Sequence, residues 1–201
     1  MSRTKRRAAL PTLLALLLLT VASRSTATGI DGAVYTNDAL QFTIGLPQEL
    51  ADAGWQVLPG DPGLSYVVFE GPQIETITVY VEPLLEPVPL DDFLDISLII
   101  FPLVFEDWAA ESVLLLDVNG REGYEVVYTM TVADIPTRAV EYMFVTDTHS
   151  FTMSGIFLGD PFPLPLNEFR SILGTFVIGA PTDVDPAGSA LTSWGRLKAR
   201  R

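Results

Sequence analysis

Chemistry needs bases, nucleophiles or ligands at workable spacing, and this chain offers few. Its single histidine, His149, sits in "DTHS", and cysteine is absent. A Ser-His-Asp arrangement on His149 lacks the Gly-x-Ser-x-Gly turn that would present a serine, so a solvated turn histidine is expected. One imidazole and no thiolate leave zinc dependent on carboxylates, which is unfavourable. We therefore expect no catalytic residue, no metal centre and no cofactor. With 25 Asp and Glu, some pair spaced for glycoside hydrolysis arises by chance. Asp91, Asp92 and Asp95 are better explained as acids at a helix start, where the dipole favours anions. No run has the spaced oxygens and central glycine of a calcium loop, which leaves only weak surface binding of divalent cations. "GREG" follows a strand but leads into another strand, so it cradles no phosphate.

Arg121 and Tyr124, in "NGREGYEVVYTM", resemble a site more than anything else in the domain. Asn119-Gly120 is a strong signal for a two-residue hairpin turn, because both turn positions need positive φ. Folding there sets Val118 against Arg121, Leu115 against Tyr124 and Val113 against Val126. Tyr124, Val126, Tyr128 and Met130 then share one face with Val113 and Leu115. The stretch reads as a hairpin corner first, with interaction through Arg121 and Tyr124 second.

The elements around this corner alternate in period. Strand-like runs come first: "AVYT", "LQFTIGLP", "WQVLP", "SYVVFEG" and "TITVYVEPL". In the last of these, Ile77, Val79 and Val81 fall on one face. "PLDDFLDISLIIF" switches to a helical period, with Leu90, Phe93, Leu94, Ser97 and Phe101 on one side. Pro102 should end or kink this helix, and a short helical turn through "VFEDWAA" is expected next. "RAVEYMFVTD" and "SFTMSGIFL" form a second hairpin around Thr148-His149. "NEFRSIL" reads as a short helix capped by Asn167, and "TFVI" as a closing strand. The aromatics Tyr124, Tyr128, Tyr142, Phe144, Phe151 and Phe157 read as core under helices. An apolar pocket lined by "SLIIFPLVF" is the alternative. The order of strands, helix, four-strand meander, helix and strand points to an antiparallel α+β sandwich.

Both ends differ from this domain. Arg3, Lys5, Arg6 and Arg7 precede an apolar run from Ala8 to Ala22, and Ser25-Thr26-Ala27 suits cleavage after Ala27. Residues 1–27 are thus expected to be a signal peptide of the general secretory route; the run falls short of the ~20 residues that span a bilayer. No transmembrane segment is expected in the mature chain, which would be periplasmic or extracellular, without a cysteine for lipid attachment. From residue 28 onward, seven basic residues face 25 acids, a net of −18. Such a surface repels nucleic acid, which binds through Lys and Arg. The domain is expected over residues 30–179, followed by a linker and basic tail over 180–201. In "ALTSWGRLKARR", Leu191, Trp194 and Leu197 recur every three residues beside Arg196, Lys198, Arg200 and Arg201. Trp194 and these four cations are the tail's candidate interaction residues. A sorting tail, an anchor at an anionic surface, a tether folding back onto the acidic domain and a featureless end are all open.

"LQFTIGLPQEL…GWQVLPG", "LDDFLDISL", "VNGREGYEVVYT" and "EYMFVTDTHSFTMSGIF…NEFRSILGTFVI" together resemble the PsbP/Mog1-like domain family over about residues 33–178. The resemblance implies an antiparallel sheet of six or seven strands with helices packed on it, an α/β/α sandwich. It also implies non-enzymatic roles: photosystem accessory subunits, a nuclear-transport GTPase partner, and bacterial exported proteins. The domain departs from that family in having no lysine between residues 30 and 180 and in its acidity, so basic partner-docking residues do not carry over. The leading expectation is an exported accessory domain that binds or helps assemble an envelope or extracellular protein. A carrier of a small apolar molecule in a sheet–helix pocket is second, and a secreted carboxylate-based hydrolase third.

Overall fold

Runs of β-branched and aromatic residues punctuated by Gly and Pro become eleven strands in the computed structural model, which describes residues 29–61, 64–73, 75–158 and 165–179. In chain order these are β1 (Ile30–Asp31), β2 (Val34–Asn37), β3 (Phe42–Gly45), α1 (Gln48–Asp52), β4 (Gln56–Pro59), β5 (Val67–Glu70) and β6 (Thr76–Pro83). There follow α2 (Leu90–Val104), β7 (Glu106–Val118), β8 (Arg121–Val132), β9 (Ile135–Val145), β10 (His149–Leu158), α3 (Leu166–Leu173) and β11 (Val177–Ile178). β7 to β10 form the expected meander. They continue through β6, β5 and β4 into one antiparallel seven-stranded sheet, ordered β4-β5-β6-β10-β9-β8-β7. A second sheet of four short strands, β1-β2-β3-β11, was not anticipated.

Two apolar clusters lie on the two faces of the large sheet. On one face, Ile77, Val79, Val127, Val140, Tyr142, Phe144, Phe151 and Met153 meet the small sheet through Tyr35, Phe42 and Ile44, α1 through Leu50, and α3 through Phe169, Ile172 and Leu173. Gly155 lets this packing close: a Cβ there would lie 2.6 Å from the Phe169 ring. On the other face, Val126, Tyr128, Met130, Ala139 and Met143 meet α2 through Phe93, Leu94 and Phe101. The six aromatics expected as core are divided between the two faces. Tyr124 and Tyr128 point to α2, whereas Tyr142, Phe144, Phe151 and Phe157 point the other way, because side chains alternate along β8, β9 and β10.

The Asn119-Gly120 hairpin follows the expected register at all three positions: Val118↔Arg121, Leu115↔Tyr124 and Val113↔Val126. Both turn residues have positive φ, 53° and 82°. Four local expectations need correction. Helix α2 runs through Pro102, whose ring is exposed, and stops at Phe105, which is extended. "EDWAA" is strand rather than helix, because its backbone pairs with β8 across register shifts at 106/109 and 110/112. The second hairpin turns one residue earlier than expected: Thr146 accepts from the His149 backbone, and His149 already pairs with Pro83. Pro165, not Asn167, precedes α3, where Pro is tolerated because the first helical N–H groups have no partner.

Candidate functional site

Helix α2 has two apolar faces, and only one of them is buried. Leu94, Ser97 and Phe101 follow a helical period toward the sheet; the Ser97 hydroxyl donates to the Phe93 carbonyl at 2.8 Å. Ile96, Ile99, Ile100, Leu103 and Val104 follow the same period on the outside. All five are exposed, Ile99 by 67% and Leu103 by 73%. Along the four-residue rows of the helix this stripe is continued at its N-terminal end by Asp92 and Asp95, both exposed. No basic residue occupies the last helical turn, and exposed Glu106 and Asp107 follow it. An outward apolar stripe bounded by acids at both ends suits a partner with an apolar ridge and flanking cations.

Beneath α2 lies a polar group in an apolar setting. The Phe101, Phe105 and Trp108 rings all pack on Tyr128, with centroids 5.7, 6.2 and 5.9 Å away. Tyr128 donates its hydroxyl to Glu141 Oε1 at 3.0 Å, and Ser154 donates to the same oxygen at 2.9 Å. Glu141 is 6% exposed. Burial pushes its carboxyl up to about 7, against the pull of the two hydroxyl donors. Burial and the adjacent Glu141 carboxylate in turn hold the Tyr128 phenol neutral. Glu141 Oε2 and Trp108 Nε1 have no protein partner. A carboxyl so placed can take up a proton near neutrality, and its two hydrogen-bonding neighbours are the Tyr128 and Ser154 hydroxyls.

On the opposite face, Arg170 of α3 grips Glu125 of β8 with two bonds, Nε to Oε2 at 2.7 Å and Nη2 to Oε1 at 2.5 Å. The bond to Glu125 is the main cause raising the Arg170 pKa. This pair fastens α3 to the sheet.

Of the residues singled out in the sequence, Arg121 is exposed at the hairpin corner and Tyr124 is half-buried. The two do not converge, because they are three positions apart along a strand and so lie on opposite faces. Tyr124 donates to Asp91 at 2.6 Å and so ties β8 to the first turn of α2. Asn119 holds the corner against the chain after α3, donating to the Gly174 and Phe176 carbonyls at 3.1 and 2.8 Å. Trp194, Arg196, Lys198, Arg200 and Arg201 lie outside the described residues, as does the 1–27 segment. His149 is half-buried, its Nδ1 2.9 Å from Thr148 Oγ1. Among the described residues, no three His, Asp or Glu side chains are grouped to hold a metal, and no helix is long and apolar enough to cross a membrane.

The outer stripe and the Glu141 network escaped the sequence reading. A signal for the stripe was present: positions 96, 99, 100 and 103 repeat the helical period in "ISLIIFPL" one step out of phase with the inner face. Glu141 had a weaker one, a lone acid within the apolar run "RAVEYMFV".

Neither a protein-family model nor a curated protein sequence matches the chain. Solved structures do. Cyanobacterial PsbP (CyanoP) from Synechocystis sp. PCC 6803 superposes with a TM-score of 0.55 at 14% identity, covering 75% of this chain and 98% of that one. LpqN of Mycobacterium tuberculosis, described as involved in cell envelope biogenesis, gives 0.56 at 12% identity, covering 76% and 87%. A Bacteroides thetaiotaomicron protein gives 0.51 at 10% identity, covering 75% of this chain and 49% of that one. The chain thus has the PsbP/Mog1-like fold.

Proposed function

We propose that this is an exported, non-enzymatic binding domain that helps assemble an envelope or extracellular protein, and that the outer face of α2 is where the partner docks. The observation that carries this reading is the stripe Ile96, Ile99, Ile100, Leu103 and Val104, which leaves a helix of the main layer apolar on its solvent side. Helices with such faces are normally covered. The neighbour LpqN, involved in cell envelope biogenesis, is in keeping with an envelope role. The basic segment at residues 3–7 and the apolar run after it support export.

Two observations disfavour the carrier alternative. The space between α2 and the sheet is filled by Phe101, Phe105, Trp108 and Tyr128. One recess among the described residues, of about 160 Å³ beside Asn37, Gln41 and Gly179, is small against the ~300–1,000 Å³ of ordinary ligand pockets. Surface carboxylates would attract divalent cations only weakly, and no cofactor is invoked.

Native mass spectrometry of the chain, gently isolated from its host's envelope fraction, tests the reading. A stoichiometric protein companion is expected, and the double substitution Ile99→Ser/Leu103→Ser should remove it. A small bound mass on a lone chain would favour the carrier. A companion that survives the double substitution would exclude α2 as its dock.

A further inference from the structure

We infer that in the unpartnered protein the outer face of α2 is covered by the chain's own C-terminal segment, Leu191 to Arg201, which a partner must displace. The inference rests on reading that face as a docking surface.

Three observations select this occupant over a second copy. The first is charge. Between residues 30 and 180 there are 23 acids, three arginines and no lysine, so two domains repel each other face to face. The segment after Ser189 carries four cations and no acid until its end at Arg201. The second is pattern. Leu191, Trp194 and Leu197 repeat every three residues, close to the three- and four-residue steps of Ile96, Ile99, Ile100 and Leu103. Laid in the same direction as α2, the segment brings Arg200 and Arg201 to the helix C-terminus. There the dipole favours cations, α2 supplies none of its own, and Glu106 and Asp107 are exposed.

The third is reach. Phe176, three residues before the last described residue, is bonded to Asn119 at the β7–β8 corner. From that corner β8 leads to Tyr124, whose hydroxyl meets Asp91 in the first turn of α2. Asn119 to Tyr124 is ~17 Å at the rise of a strand, and Asp91 to Ile96 a further ~8 Å along the helix. Residues 180–190 span up to ~36 Å. Gly179 lies up to ~10 Å beyond Phe176, its N–H bonded to the Gln41 carbonyl on the face opposite α2, so Leu191 reaches the start of the stripe with residues 180–190 near full extension.

A photo-crosslinking side chain at Leu103, in the chain running to Arg201, tests this. Cleavage before aspartate should release the Asp185–Arg201 peptide joined to the α2 peptide, at monomer mass. The yield should fall several-fold in ~0.5 M salt, where exposed charges are screened, and several-fold again on Trp194→Ser. Leu103 is mostly exposed, so the probe should leave thermal unfolding unchanged. Crosslinks between two chains would overturn the proposal in favour of a second copy, and a probe that never reaches the 185–201 peptide would overturn it outright. Neither result bears on partner capture through Ile99 and Leu103, so the docking reading stands or falls separately.

Discussion

The two faces of the seven-stranded sheet solve the same problem with unequal thoroughness. One is closed by two helices and a second sheet, and its largest rings are fully buried: Tyr142, Phe144, Phe151, Phe169 and Phe176. The other carries a single helix, an exposed apolar stripe, and a buried Glu141 carboxyl bonded only to hydroxyls, whereas the buried Glu125 carboxyl of the first face is held by Arg170. The first face is built for stability. The second keeps features that cost stability, as binding surfaces commonly do.

The contrast can be broken from the closed side with the largest effect. Phe169 is fully buried, meets Trp55 edge-on at 6.0 Å and fills the space that Gly155 leaves. Phe169→Ala should cost ~3–5 kcal/mol in urea unfolding. A loss below ~1 kcal/mol would mean that α3 does not seal this face.

The next effect is a gain. Glu141 has a folded pKa of about 7, above the ordinary carboxyl value of 4.5. The folded state therefore binds the proton more tightly than the unfolded one. Stability from this group is intact below ~4.5, declines as pH rises through 7, and is lost above. Glu141→Gln keeps an acceptor for Tyr128 and Ser154 without the charge. It should stabilise the protein at pH 8 by up to ~3 kcal/mol, with the difference vanishing near pH 4.5. Parallel stability–pH curves for the two proteins would refute the assignment.

The smallest effect on stability sharpens the contrast most. Ile99→Ser and Leu103→Ser, each on the outer face, should shift unfolding by no more than ~0.5 kcal/mol apiece while abolishing partner capture. A large destabilisation from either would show that the stripe belongs to the domain's own core rather than to a surface covered reversibly, and thermal melts would register it directly.

How much of this was legible depended on how local each signal was. The β7–β8 register followed from Asn119-Gly120 because two residues with positive φ admit few other turns. Helix α2 declared itself through its inner period and its acidic first turn. The small sheet did not, because β1 and β11 are two residues long and β11 pairs with β3 across most of the chain. "EDWAA" misled because Glu and Ala favour helices, whereas pairing with β8 decided the outcome. Glu141 was hidden because β9 is buried on both faces, where alternation no longer separates inside from outside. Arg121 lies at the expected hairpin corner and Tyr124 farther along β8, and the docking surface we propose is on the helix that Tyr124 ties to that strand.

The rim strand β7 has a consequence of its own. A long, flat rim is an invitation to polymerise, since any other chain can zip onto its free amides. Here the first half of that rim is broken by two register shifts and by Asp107 in the left-handed region, and it bears Glu106, Asp107 and Glu111. The opposite rim, β4, is only four residues long and ends in Pro59, which has no amide to offer. The first half of β7 and the short β4 are thus poor templates for an added strand, which lowers the risk of edge-to-edge growth in a protein with an apolar stripe on α2.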